Sequence, residues 1–144
     1  MDLPVQLLCD NARIPHTAHE GDAGIDLRST EAMQIKPFER KLVPCGLALA
    51  IPQGYAGFVL PRSGSAIKQG LSLVNSPGLI DSGYRGELKC IAINLDPTQT
   101  INIEVGDRIA QLVIMKVENL RLLQVDELDQ TERGKGGFGS TGKM

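Results

Sequence analysis

The stretch Arg133-Gly134-Lys135-Gly136-Gly137-Phe138-Gly139-Ser140-Thr141-Gly142 gathers five glycines, two hydroxyls, two cations and a lone aromatic residue. Glycine lets backbone N–H groups approach phosphate oxygens, Ser140 and Thr141 add hydroxyl donors, and Arg133 adds a two-pronged guanidinium. Phe138 has no core to join there and is free to stack on a planar base. One reading is a flap closing over an anionic ligand; the other is a solvent-exposed tail without a chemical role. Gly137 through Lys143 also spells most of a P-loop. A P-loop needs Ser or Thr where Met144 stands, and a strand before the glycines, which this run does not supply.

Three further segments carry polar groups at useful spacings. Pro61-Arg62-Ser63-Gly64-Ser65-Ala66 follows an expected strand and opens the one expected helix. Amides at a helix start, beside an arginine and hydroxyls, suit an anion; a plain turn capped by Ser63 with Arg62 solvated would look the same. The turn-rich interval from Asn75 to Gly86 sets Asp81 directly after Leu79-Ile80, at the edge of a pocket or simply in a turn. Tyr84 in the same interval reads equally as cover for a sheet end. Gly106-Asp107-Arg108-Ile109-Ala110-Gln111-Leu112 alternates polar and apolar residues, as an edge strand or subunit contact does without any chemistry. His16 and His19 lie near Glu20 and Asp22, a weak metal pattern because no third strong ligand is close by.

The elements that must position these groups read as all-β. Short apolar runs at 4–9, 24–29, 40–51, 55–60, 71–74, 87–95, 100–104 and 108–117 alternate with turn signals, as in a sandwich or barrel. Pro52-Gln53-Gly54, Asn94-Leu95-Asp96-Pro97 and Val105-Gly106-Asp107 mark turns. One short helix is expected over Ser63–Gln69, ended by Gly70. Residues 120–128 read as strand or extended chain. Long βαβ units are absent, which disfavours a doubly wound nucleotide fold.

The 144 residues suit one domain, with a core over 1–128 and a tail over 129–144 that is expected to stay mobile without ligand. With 42% hydrophobic residues but only three Phe, two Tyr and no Trp, the core must be aliphatic. A net charge of −2 gives no basic excess, so direct nucleic-acid binding is not expected. No apolar run approaches the roughly 20 residues of a membrane helix, and no signal peptide is expected. Cys9, Cys45 and Cys90 read as reduced, small core residues of a cytoplasmic protein.

Taken in order, these segments resemble the five motifs of the homotrimeric dUTPase family. Ala23-Gly24-Ile25-Asp26-Leu27 is similar to the first motif and residues 61–66 to the second. Residues 78–86, 106–112 and 133–142 are similar to the third, fourth and fifth. Ser65 is the one departure noticed, at a position where the family more often has an aliphatic residue.

The resemblance implies a distorted jelly-roll barrel and hydrolysis of dUTP to dUMP and pyrophosphate. This activity limits uracil in DNA and supplies dUMP for thymidylate synthesis. It implies Mg²⁺-assisted attack of water on the α-phosphorus, with Asp81 orienting and deprotonating that water, and Asp26 reaching the metal through water. Arg62, Ser63, Gly64 and Gln111 would hold the phosphates, and Arg133, Ser140 and Thr141 would clamp the terminal one. The nucleoside would meet Asn75, Gly78, Leu79, Ile80, Tyr84 and Lys89 in a hairpin spanning Asn75 to Lys89, with Phe138 and Gly139 covering uracil. Tyr84 would exclude a ribose 2′-hydroxyl. Each site would draw on three chains of a homotrimer, the tail closing over a neighbour's site. Three alternatives stand beside this: a dCTP deaminase of the same fold, a nucleotide-gated regulatory binding module, and a structural trimer without ligand.

Overall fold

The computed structural model describes residues 2–17 and 19–137. In chain order the elements are β1 (Val5–Leu7), β2 (Ile25–Arg28), β3 (Met33–Ile35), β4 (Arg40–Pro44), β5 (Leu47–Leu49) and β6 (Tyr55–Leu60). They continue with α1 (Ser63–Gln69), β7 (Leu71–Leu73), β8 (Gly78–Ile80), β9 (Lys89–Asn94), β10 (Ile101–Ile103) and β11 (Arg108–Lys116). The strands pair antiparallel in four small sheets: β1 with β5, β3 with β10, β4-β9-β7, and β2-β11-β6-β8. The mostly β architecture with one short helix matches the expected class.

Period-two burial explains why these runs become strands. In β9, Cys90, Ala92 and Asn94 are buried while Lys89 and Ile91 are exposed. In β10, Ile101 and Ile103 flank the exposed Asn102. The interior is aliphatic, as the scarcity of aromatic residues requires; Leu27, Ile35, Val43 and Leu112 have no exposed surface. Strand β6 and helix α1 fall where the turn signals set them. Gly54 (φ +83) opens the first, and Gly70 (φ +67) stops the second with its N–H on the Ala66 carbonyl.

Four expectations are corrected. The run 40–51 is two strands, because Gly46 turns the chain at φ +65. A side chain there would meet Ala12, Thr30 and Cys9 at 2.8 to 2.9 Å, so only glycine fits. Strands β3 and β8 lie outside the expected runs: each is three residues long and abuts turn residues, Lys36-Pro37 after β3 and Ser76-Pro77 before β8. Residues 120–128 form no strand, since no described edge of this chain pairs with them; Leu120, Leu122, Leu123 and Leu128 are exposed. Cys9 is exposed rather than core. Cys45 and Cys90 are buried free thiols with sulfurs 3.8 Å apart, and their mutual hydrogen bond, with burial, pushes the Cys45 thiol well above its ordinary range.

Asn94 is the polar lock of the interior. It is 0% exposed, and its amide donates to the carbonyls of Ile35 at 2.9 Å and Gln99 at 2.7 Å. Its Oδ1 accepts the Asp96 N–H at 2.8 Å. The end of β9 is thereby joined to β3 and to the turn entering β10. The turn is reinforced by Asp96, whose carboxyl the Gln99 and Thr98 amides hold below the usual aspartate range. That contribution is present above the ordinary aspartate pKa and is lost as pH falls through the lowered folded value. Asn94→Ala strands the buried Ile35 carbonyl, and the part-buried Gln99 carbonyl and Asp96 N–H, so chemical denaturation should show a loss of about 2–3 kcal/mol. A loss below about 1 kcal/mol would contradict this account of the interior.

Candidate functional site

Strand β11 is paired on both edges, and Gln111 is its meeting point. The residue is opposite Asp26 of β2 on one side and Leu60 of β6 on the other. The chain leaving β6 passes through Pro61 and Arg62 into α1, so these groups converge on one cleft of about 380 Å³. The Gln111 amide donates to the Pro61 carbonyl at 2.9 Å, which leaves its second N–H for a ligand. Gly24 packs against the other end of that amide, where a Cβ would lie 2.5 Å from Gln111 Oε1. A side chain at position 24 would therefore push the Gln111 amide out of its present place.

Asp26 is the electrostatic centre of this cleft. Its side chain is 19% exposed; Oδ1 accepts Arg62 Nε at 2.8 Å and Oδ2 accepts Arg108 Nη1 at 3.3 Å. Spending Nε on Asp26 leaves the terminal nitrogens of Arg62 for an anion. Helix α1 begins beside them at Ser63. The cap position is Arg62, with no side-chain cap, so Ser63 is inside the helix rather than capping it. Gly64 has open space around its missing side chain, which leaves room for a ligand at the helix start. Two arginines and two aspartates, Asp22 being the second, line the cleft, so their charges balance.

A second cleft, about 530 Å³, contains Asn75, Leu79, Ile80, Asp81, Tyr84 and Lys89. It is not formed by a single hairpin. Strand β8 pairs with β6, whereas β9 pairs with β4 and β7, so the connection between them bridges two sheets. Gly78 is buried, and a Cβ on it would approach the Asn75 amide at 3.3 Å. Asp81 opens a turn in which its carbonyl accepts the Tyr84 N–H at 3.1 Å. Turn former and pocket edge are thus the same residue. The Tyr84 hydroxyl donates to the Glu87 carbonyl at 3.0 Å, and a side chain at Gly86 would overlap the tyrosine.

The two clefts share no lining residue. The first is rich in charge and backbone, the second in apolar surface with an amide, two carboxylates and a lysine. Arg133 is in neither; its Nε closes a local turn on the Gly136 carbonyl at 2.9 Å. Phe138, Gly139, Ser140 and Thr141 lie outside the described residues. Among the described residues no three His, Cys, Asp or Glu side chains gather as a metal cage, and no helix is long and apolar enough to cross a membrane. Sequence reasoning missed Arg108 and Glu87 as site groups. Arg108 reaches Asp26 where the pairing of β11 with β2 shifts register between Arg108 and Ala110, which leaves no mark in the alternation.

A dUTPase family model matches residues 10–142. The deoxyuridine 5'-triphosphate nucleotidohydrolase of Streptomyces griseus subsp. griseus is 51% identical over 142 residues, 99% of this chain and 81% of the relative. That of Corynebacterium glutamicum is 55% identical over 130 residues, 90% of this chain and 87% of the relative. The solved dUTPase of Staphylococcus bacteriophage 80alpha with dUPNHPP superposes with a TM-score of 0.91 at 34% identity, covering 99% of each chain. The chain belongs to the dUTPase family.

Proposed function

We propose that this dUTPase hydrolyses dUTP in a site assembled from two unlike clefts of neighbouring copies, completed by the tail of a third. The observation that carries the proposal is the division of labour within one chain. The Asp26, Arg62 and Gln111 cleft has donors for phosphate but no surface for a base. The Asn75, Asp81 and Tyr84 cleft has apolar surface for a base, and its one cation, Lys89, is paired with Glu87. Exposed apolar groups supply the means of assembly. Leu42 and Ile91 are cross-strand partners, 56% and 36% exposed, and the leucines of 120–128 find no cover among the described residues.

In such a site Arg62, Ser63, Gly64 and Gln111 bind the phosphate chain, and the α-phosphorus comes to face Asp81 of a neighbour. Asp81 orients a water and takes its proton as the water oxygen bonds to phosphorus. The bond from the α-phosphorus to the bridging oxygen breaks, and pyrophosphate leaves with that oxygen. The first cleft is charge-balanced, so a triphosphate needs further positive charge. A water-bridged Mg²⁺ fits a donor set of one carboxylate already shared by two arginines, because Mg²⁺ keeps waters and takes phosphate oxygens. When bound, it supplies charge neutralisation and orientation of the phosphates, and Asp26 would hold it through water.

The flap over 129–144 would bring Arg133, Ser140 and Thr141 to the terminal phosphate and Phe138 and Gly139 to the base. Arg133 must then release Gly136. Asn75, with the backbone of Gly78, Leu79 and Ile80, would pair with uracil; cytosine offers the opposite pattern and would leave buried groups unpaired. Tyr84, fixed by Glu87, would crowd a 2′-hydroxyl. Lys89 would border the nucleoside. The free Cys45 and Cys90 thiols suit a reducing cytoplasm.

Pyrophosphate release should be measured from dUTP, dTTP, dCTP and UTP with Mg²⁺. Release from dUTP alone is expected, falling on the order of 10²–10⁴-fold in Asp81→Asn. Release from several nucleotides would sink the base and sugar assignment. Asp81→Asn and Arg62→Ala chains, each inactive alone, should recover part of the activity when refolded together. Mixed assemblies with no recovery would show that both residues act from one chain.

A further inference from the structure

Glu87 is used from three directions although no role in the reaction falls to it. Its carbonyl accepts the Tyr84 hydroxyl, its Oε1 accepts the Gly46 N–H at 3.0 Å, and its Oε2 meets Lys89 Nζ at 3.2 Å. Gly46 is buried at the break between β4 and β5, where the turning chain leaves its N–H without a strand partner. The neighbouring backbone fastens there too: Cys45 N–H donates to the Leu88 carbonyl at 3.0 Å, and Leu88 N–H to Leu47 at 2.7 Å.

From this arrangement we infer that Glu87 is a positioning residue of the nucleoside cleft, tying both Tyr84 and Lys89 to the buried Gly46 amide. The inference rests on the function proposed above. An exposed Glu–Lys pair contributes little by itself, because two long side chains must be ordered in a screened setting. Glu87 differs because a buried backbone donor already holds its carboxylate, so Lys89 meets a fixed partner. The pairing also neutralises the one cation lining this cleft, and leaves Asp81 as its one carboxylate without an ion-pair partner among the described residues. A cleft built this way suits an uncharged base and a sugar, with a single free carboxylate for the water.

Steady-state kinetics on dUTP with the full chain can test this. Glu87→Gln keeps an acceptor for Gly46 but drops the charge that holds Lys89. KM should rise several-fold with kcat nearly unchanged. Glu87→Ala loses both contacts and should raise KM by roughly tenfold or more, consistent with a lost charge-assisted hydrogen bond. If Glu87 acts through Lys89, adding Glu87→Gln to Lys89→Gln should raise KM no further than Lys89→Gln alone. Unchanged KM in both Glu87 variants would overturn the inference, and so would a fall in kcat that merely tracks loss of folded protein by circular dichroism. Wild-type chain inactive on dUTP would remove the functional reading itself, and this inference with it. An active wild type with indifferent Glu87 variants would remove only the inference.

Discussion

Strand β11 is hydrogen-bonded along both edges, and that double pairing dictates where the groups of the polar cleft can lie. Its nine residues hold β2 on one side and β6 on the other. Because side chains alternate along a strand, a slip of one residue would turn Gln111 away and separate it from Asp26. Gly24 leaves room for the Gln111 amide where that register puts it, since a Cβ there would displace the amide. Backbone pairing, rather than side-chain contact, therefore sets the spacing between a carboxylate and the arginine that follows β6.

Within that frame the charges are arranged for use rather than for stability. Asp26 lies between Arg62 and Arg108 in a cleft open to solvent, where such pairs add little to folding. What the pairing does is orient: it turns one edge of the Arg62 guanidinium inward and presents the other. An anion in that cleft would meet donors that already face it, with little reorganisation. Asn94 shows the opposite design, a neutral amide with each polar atom satisfied in the dry interior, where it locks strand ends together.

How far all this could be read beforehand depended on whether the determinant was local. Strand β6 and helix α1 were legible because Gly54, Pro61 and Gly70 punctuate them within the segment. Arg62, Asn75 and Asp81 stood out by residue type at turns, Asp26 only through the family resemblance, and the structure gathers them at two clefts. The break at Gly46 was hidden, since its cause is crowding by Ala12 and Thr30, distant in sequence. The partnership of Glu87 with Gly46 spans 41 residues and has no local sign. Residues 120–128 form no strand for a different reason: their apolar pattern asks for burial that the described residues do not supply.

The lack of tryptophan has a practical side. Tyrosine emission must come from two residues in different settings: Tyr55 packs against the core, and Tyr84 stands in the second cleft, 45% exposed. One ring senses the state of the fold, and the other senses what occupies the cleft. The chain is thus an optically quiet scaffold, in which an indole introduced beside either ring would report on folding or on occupancy without native background.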